Sequence, residues 1–216
     1  MGDEEERVVT KRSYGQFCGL ARALDVVGDR WSLLIVRELL GGPARYGQLQ
    51  AGLPGISTNL LAERLRELEE AGAVRRQLDT YSNGVAYALT PWGSELRGPI
   101  AALVNWSTPL MVSGPRGDSF RTHWLVVALE SLLDGKRTEV PATVGVEVDG
   151  TTLTVRVDET GTHVALDVDG QPETVLRAEP SVVLGLASGM LTVEQAIAAG
   201  DLRGDKQDLA AVFGPG

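Results

Sequence analysis

The 216-residue sequence has one cysteine, Cys18, and only two histidines, His123 and His163. A single cysteine excludes an intramolecular disulfide framework and a zinc site built only from thiolates. Neither histidine has a metal-ligand partner nearby in the sequence. Motifs for nucleotide phosphates, for hydrolysis by a nucleophilic serine and for EF-hand calcium loops are also missing. We therefore expect no metal, no cofactor and no enzyme activity.

Long apolar runs are missing as well. No stretch reaches the roughly 18 uninterrupted apolar residues that a membrane span requires. The chain begins with the acidic run of residues 1–6, and no apolar segment follows it, so we expect no secretory signal. Together with the near absence of cysteine, these features predict a cytoplasmic protein.

The formal net charge of −9 argues, for the chain as a whole, against a nucleic-acid ligand. The charge is divided unevenly, however. Residues 7–114 carry 12 Lys and Arg against 9 Asp and Glu, a net charge of +3, whereas residues 115–216 carry 8 against 16, a net charge of −8. Only the first half is therefore expected to approach DNA phosphate groups.

Hydrophobic periodicity in the first half predicts four helices. The segments with apolar residues at three- and four-residue steps are 14–27, 31–40, 45–52 and 57–71. Ser57 is a suitable N-cap for the fourth helix, and Gly72 is a suitable residue for its end. We call this fourth helix the reading helix, because in a winged helix-turn-helix the helix at this place in the chain is the one that enters the DNA groove.

A hairpin and a long helix follow. Two short apolar runs at residues 74–78 and 85–89 flank an Asn-Gly turn and predict a β-hairpin. Thr90 and Pro91 then open a helix over residues 92–112, which we expect to be interrupted at Gly98-Pro99. Helix, short helix, turn, helix and hairpin is the order of a winged helix-turn-helix. Because the same order occurs in purely structural bundles, it leaves DNA binding open.

The face of the reading helix opposite its leucines is polar and not strongly acidic, as entry into the major groove requires. Arginines before it and on the first wing strand are candidates for phosphate contacts. The predicted DNA-binding residues are Arg45, Ser57, Thr58, Asn59, Ala62, Glu63, Arg66, Arg75, Arg76, Ser82 and Asn83. The alternative interpretation is a solvated helix face that binds nothing.

Four segments of the first half form a recognisable set: residues 18–31 (CGLARALDVVGDRW), 33–40 (LLIVRELL), 53–72 (LPGISTNLLAERLRELEEAG) and 87–93 (YALTPWG). Together they resemble the HxlR family of bacterial transcription regulators. The resemblance covers about residues 14–112 and implies a homodimer that binds an inverted-repeat operator in double-stranded DNA. Cys18 matches the cysteine that several such regulators use to sense electrophiles or oxidants. The alternative is a small buried side chain at a dimer interface.

The long helix supports dimerisation independently of the resemblance. A small helical domain cannot cover all of its apolar side chains. Those expected on its surface are Leu96, Ile100, Leu103, Val104, Trp106 and Leu110.

The second half predicts an α+β layer. Residues 113–117 are typical of a linker, which divides the chain into domains at 13–113 and 118–216. A helix over residues 118–133 is apolar nearly all round, two hairpins follow at 143–157 and 163–178, and small helices end the chain. The fold class predicted for the whole chain is α+β.

The end of the chain resembles sterol-carrier-protein-like domains in residues 178–186 (AEPSVVLGL) and 190–205 (MLTVEQAIAAGDLRGD). This resemblance implies an apolar chamber for a lipid or another apolar metabolite, without catalytic residues. The residues expected to line it are Trp124, Ala128, Val155, Val164, Val183, Leu186 and Ile197.

Three functions remain open at this point. The first is a dimeric transcriptional regulator, a repressor, whose DNA binding is tuned by an apolar ligand. The second is a lipid carrier or accessory protein that uses the winged helix only for dimerisation. The third is a regulator whose C-terminal half braces the dimer and binds no ligand.

Overall fold

The computed structural model describes residues 13–79, 84–111, 114, 117–166 and 172–214. The first half of the chain folds into six helices and three strands within these ranges. Their bounds are α1 Gly19–Val27, α2 Ser32–Leu40, β1 Ala44–Arg45, α3 Tyr46–Gly52, α4 Thr58–Glu70, β2 Val74–Leu78, β3 Val85–Leu89, α5 Pro91–Ser94 and α6 Arg97–Ser107. A 3-10 turn at Thr108–Met111 follows α6.

Helices α2, α3 and α4 pack around an apolar core and stand beside a small antiparallel sheet of order β1-β3-β2. Leu61, Leu65 and Leu68 of α4 are fully buried in that core, together with Ile35 of α2 and Leu49 of α3. The strands of the predicted hairpin are β2 and β3, with the expected bounds. The N-terminal half is therefore a winged helix-turn-helix, as the order of elements predicts.

The second half is a mixed α+β unit. Its elements are α7 Trp124–Leu132, β4 Ala142–Val148, β5 Thr151–Asp158, β6 Gly161–Leu166, β7 Val175–Arg177, α8 Pro180–Ala187, α9 Val193–Ala199, β8 Asp201–Arg203 and α10 Lys206–Phe213. The strands form one sheet of order β6-β5-β4-β7-β8, in which only β4 and β7 are parallel. A single apolar core joins α7, the sheet and helices α8 to α10.

Helix α7 belongs to two cores at once. Leu125, Leu129 and Leu133, on and just after this helix, lie in the core of the second half, whereas Val127 is buried in the core of the winged helix. A helix covered on two sides needs apolar residues nearly all round, which explains the composition of this segment. The two halves are consequently in direct contact through α7.

Two predicted helix starts are wrong. The first helix begins at Gly19 instead of near Tyr14, because the carboxylate of Asp25 accepts hydrogen bonds from Ser13 Oγ (3.0 Å) and the Tyr14 amide (2.8 Å) and folds this segment back. Helix α7 begins at Trp124 instead of residue 118, since Trp124 and the residue before it bind to α2.

Two further predictions are corrected. The long helix breaks at Glu95-Leu96, and α6 runs through Gly98 and Pro99. Pro99 is tolerated because it occupies the first turn of α6, where backbone N–H groups have no partner within the helix. The second C-terminal hairpin does not form as such, because β7 pairs with β4 instead of β6.

No helix among the described residues combines the length and the hydropathy needed to cross a bilayer.

Candidate nucleic-acid interface

The first turn of the reading helix, α4, is fixed by its own cap. Ser57 has extended backbone angles, and its hydroxyl accepts a hydrogen bond from the Leu60 amide at 3.3 Å. Gly72 follows the helix with φ of +80°, a conformation that glycine adopts without steric cost. The helix therefore begins and ends where these two residues predict.

Two contacts from neighbouring elements hold α4 in place. The hydroxyl of Tyr46, on α3, donates to the backbone carbonyl of Thr58 at 2.6 Å. On the other flank, Arg64 pairs with Asp29 at 2.7 Å, in the segment between α1 and α2. Because the helix is tied at both flanks and its leucines are buried, the direction of its outer face is determined by the fold.

The outer face of α4 is open to solvent. All the predicted reading residues are exposed: Ser57, Thr58, Asn59, Ala62, Glu63 and Arg66. The only ion pair of Arg66 among the described residues is a loose one with Glu70 at 3.8 Å. An exposed amide and a guanidinium free to reorient are the groups that recognise adenine and guanine edges.

The flanking arginines differ in their partners. Arg45 occupies the N-cap position of α3, where its backbone N–H donates to Gln48 Oε1 at 2.7 Å, and its side chain forms an ion pair with Asp79 across the small sheet. Arg76 pairs with Glu69 at 2.9 Å and lies over the ring of Tyr87. Arg75, its neighbour on β2, is exposed. All three arginines are on the winged helix. To contact DNA, Arg45 and Arg76 would each have to exchange a carboxylate partner for a phosphate.

Ser82 and Asn83, predicted at the tip of the wing, lie outside the described residues.

The predicted chamber residues fall into two places. Val155, Val164, Val183 and Leu186 are buried together in the core of the second half, and Ala128 and Ile197 pack against it. None of the seven predicted residues lines the surface cavities of 300 to 550 Å³ that the described residues form beside α1, α3, α6 and the small sheet. The chamber stays a prediction.

Trp124, the seventh predicted chamber residue, instead contacts the winged helix. Its indole Nε1 donates to Glu38 Oε1 at 2.8 Å, and the guanidinium of Arg37 lies 4.2 Å from its ring centre. His123 Nε2 lies 2.8 Å from Glu38 Oε2, and Arg37 Nη2 lies 2.7 Å from Glu38 Oε1. We call these contacts of Glu38 with Arg37, His123 and Trp124 the Glu38 junction.

The Glu38 carboxylate is nearly enclosed, with 7% of its side chain exposed. Burial is the largest single influence on its pKa and raises it, but the hydrogen bonds and charges of His123 and Arg37 outweigh burial and hold the pKa below its ordinary value. Gly52 of α3 packs directly on this group, since a Cβ there would lie 2.2 Å from Glu38 Oε2. One carboxylate thus connects α2, α3 and α7.

Cys18 is exposed and occupies the N-cap position of α1. The nearby backbone N–H groups of Ala21 and Leu20 favour the thiolate and lower the pKa of its thiol. Both conditions favour reactivity. In the isolated chain the side chain is not buried, and the alternative at a dimer interface stays open.

Apolar surface is concentrated on α1 and on the end of α6. Leu103, Trp106 and Leu110 are exposed, and Trp106 is 75% exposed. Ile100, predicted on this surface, is instead buried in the core of the winged helix, and Leu96 and Val104 pack against that core. The break at Glu95-Leu96 turns these three side chains inward.

Comparison with known proteins places the similarity in this first half. The HxlR-like helix-turn-helix family matches residues 26–113. A helix-turn-helix-type transcriptional regulator of Synechocystis sp. is 39% identical over 92 residues, which are 41% of this chain and 67% of that protein. YvaP, a regulator of the same type from Bacillus subtilis, is 36% identical over 88 residues, which are 40% of this chain and 82% of YvaP.

A third relative is the transcriptional regulator YodB of Bacillus subtilis. It is 37% identical over 86 residues, which are 39% of this chain and 77% of YodB. A quinone-bound crystal structure of YodB, at 34% identity, covers 42% of this chain and 96% of that one with a TM-score of 0.38. All three relatives are named as transcriptional regulators, which are not enzymes.

Proposed function

This chain belongs to the HxlR-like helix-turn-helix family of DNA-binding transcriptional regulators, and we propose that it acts as a homodimeric repressor whose C-terminal domain binds an apolar small molecule that tunes DNA binding. The observation that carries the proposal is the outer face of α4. Asn59 and Arg66 are exposed there, while Leu61 and Leu65 of the same helix are buried. Each good bidentate contact to a base discriminates by about 1–3 kcal/mol.

Dimerisation is supported by the exposed apolar side chains of α1 and α6. Leu20 and Phe17, at the start of α1, are exposed to 69% and 104%, and Trp106 and Leu110 extend the apolar surface at the other end of the unit. Large apolar side chains left exposed in this way are typical of a protein interface. A two-fold dimer would set two reading helices about 34 Å apart, which matches an inverted-repeat operator.

The Glu38 junction supports regulation by the C-terminal domain, which we place at residues 118–216 beside a DNA-binding domain at residues 13–113. A ligand that binds better to one arrangement of α7 shifts the population toward that arrangement. Any displacement of His123 and Trp124 removes hydrogen bonds from a nearly enclosed carboxylate that contacts Gly52 of α3. The position of the C-terminal domain is thereby coupled to the helix-turn-helix.

A gel-shift titration on the DNA upstream of the protein's own gene tests the proposal. We expect Asn59→Ala and Arg66→Ala each to weaken specific binding by about 5- to 150-fold, which corresponds to 1–3 kcal/mol. Arg137→Ala, an exposed arginine of the C-terminal domain, is the control and should bind as the wild type does. Unchanged binding by both reading-helix variants would contradict the assignment of α4.

A second arm repeats the titration with a total lipid extract and examines the purified protein by native mass spectrometry. A change in DNA affinity together with a bound apolar compound supports tuning by a ligand. DNA binding without any bound compound favours the C-terminal brace. Lipid binding without DNA binding favours the carrier protein that uses the winged helix only for dimerisation.

A further inference from the structure

The arginines of the winged helix differ in whether a carboxylate neutralises them. Among residues 13–79 and 84–111, seven arginines pair with a carboxylate, and Arg30 and Arg75 do not. Arg75 is already a candidate phosphate contact on the wing. Arg30 is exposed, lies outside the helix-turn-helix motif itself and has no role in the interface described above. An unpaired exposed guanidinium attracts a phosphate without first losing another partner.

The position of Arg30 is fixed by Trp31. Trp31 has φ of +85°, a left-handed conformation that bulky residues seldom adopt, and its ring packs against the core of the winged helix. The guanidinium of Arg30 lies 5.8 Å from the centre of that ring. The outer edge of the Trp31 ring packs against Gly55, in the turn just before α4. A Cβ added to Gly55 would lie 3.8 Å from Trp31 Cη2.

A second contact ties the same segment to α4. Asp29 pairs with Arg64 of α4 at 2.7 Å, so the only carboxylate adjacent to Arg30 in the sequence already has a cationic partner. The segment 29–31 is therefore anchored at one end to the flank of the reading helix and at the other to the turn that precedes it. Arg30 lies between these two anchored neighbours in the sequence.

We propose that Arg30 is a DNA-backbone contact, which binds a phosphate flanking the bases read by α4. The inference rests on the proposed function, because it requires α4 to lie in the groove. The planar fork of arginine suits two phosphate oxygens, and the Trp31 ring orders the side chain before DNA arrives. Such a contact positions the protein on the duplex and carries no sequence preference.

The test compares the full-length wild type with Arg30→Gln and Arg30→Ala on two duplexes, the DNA upstream of its own gene and a 30-bp duplex of scrambled sequence. Each phosphate contact contributes about 0.9 to the slope of log affinity against log salt. The loss of two contacts in a dimer lowers the slope by about 1.8. The affinity advantage of the wild type over either variant should then shrink about 3.5-fold between 100 and 200 mM salt, on both duplexes.

Three comparisons separate this inference from its alternatives. Arg137→Ala removes an exposed charge from the C-terminal domain and should leave the salt slope at its wild-type value. Arg30→Lys keeps the positive charge and should have a salt slope close to that of the wild type. A slope for Arg30→Gln equal to that of the wild type overturns the inference, even if Asn59→Ala and Arg66→Ala abolish specific binding. Failure of the wild type to bind either duplex overturns the inference and the proposed function together.

Discussion

Replacing Glu38 by glutamine tests the Glu38 junction with almost no change in shape. The carboxylate accepts hydrogen bonds from Trp124 Nε1 and Arg37, and His123 Nε2 lies at the same hydrogen-bond distance. In Glu38→Gln the remaining oxygen can still accept from Trp124 and Arg37, and the new NH₂ group faces His123 Nε2, which donates or accepts according to its tautomer. The junction therefore loses the charge that pairs with Arg37 in a place that water scarcely reaches.

The expected loss of stability follows from the exposure of the partners. A hydrogen bond to a charged group contributes about 1.5–3 kcal/mol, and breaking a buried ion pair costs about 3–5 kcal/mol. His123 is 40% exposed and Arg37 is 20% exposed, so solvent screens part of their contribution. We expect Glu38→Gln to lower the free energy of unfolding by about 2–4 kcal/mol, which is roughly 4–16 °C in melting temperature for a chain of this size.

Thermal unfolding followed by circular dichroism measures this effect. Glu70→Gln is the matched control, because its carboxylate is exposed and its ion pair with Arg66 is long, and it should change stability by less than about 0.5 kcal/mol. Trp124→Phe removes one hydrogen-bond donor and keeps a ring beside Arg37, so its loss of stability should lie between those of Glu38→Gln and Glu70→Gln. If Glu38→Gln melts within the error of Glu70→Gln, the junction does not hold the two halves together.

The same pair of proteins should show a characteristic pH dependence. The pKa of Glu38 is lower in the folded protein than its ordinary value of 4.5, so the folded state favours the ionised form. The resulting stabilisation is fully present above pH 4.5 and is lost as the pH falls through the folded pKa. The stability difference between the wild type and Glu38→Gln should narrow as the pH falls below 4.5.

Three further outcomes follow from single contacts. Gly93→Ala should lower the free energy of unfolding by about 2 kcal/mol or more, because the new Cβ would lie 2.0 Å from the backbone oxygen of Ala73. Gly98→Ala is the control: space around Gly98 is open, so thermal unfolding should show a loss of less than about 1 kcal/mol. Trp106→Glu should convert the dimer into a monomer in light scattering and weaken binding to inverted-repeat DNA, and a dimer of unchanged mass would contradict the proposed interface. Cys18 should react with iodoacetamide at pH 7 faster than N-acetylcysteine, since backbone N–H groups lower the pKa of its thiol, and a slower reaction would refute its exposure in solution.

The winged helix was predictable because its signals are local. The N-cap Ser57, the leucines at three- and four-residue steps and Gly72 each act within one helix, and the bounds of the wing strands follow from two short apolar runs. Such features need no information about distant parts of the chain. They define both the fold of the first half and the exposed face of α4.

The errors have non-local causes. The pairing of β7 with β4 joins strands about 30 residues apart, and a sequence pattern does not distinguish it from a hairpin with β6. The start of α7 at Trp124 depends on Glu38, 86 residues earlier in the chain. A break at Gly98-Pro99 is predicted if proline is taken as a helix breaker. Pro99 lies in the first turn of α6, however, where its missing N–H costs the helix no hydrogen bond.

The sequence pattern around Glu38 and Arg30 does not predict the roles that the structure suggests for them. Glu38 stands beside Arg37 within an apolar helix, a pattern that ordinarily marks a solvated ion pair, and its enclosure comes from a helix of the other half. Arg30 precedes the helix-turn-helix and is brought to it by the left-handed turn at Trp31.

These two groups stand near opposite ends of α2, Arg30 just before its start and Glu38 at the junction with α7. Arg30 and Trp31 stand at the start of α2, and Glu38 lies in its last turn. Ser32, the first residue of α2, and Glu38 are six residues apart, about 9 Å along the helix axis, and the left-handed turn at Trp31 joins Arg30 to that end of the helix. If Arg30 binds the DNA backbone as proposed, a displacement of α7 that moves Glu38 would reach that contact through α2 without repacking of the winged-helix core.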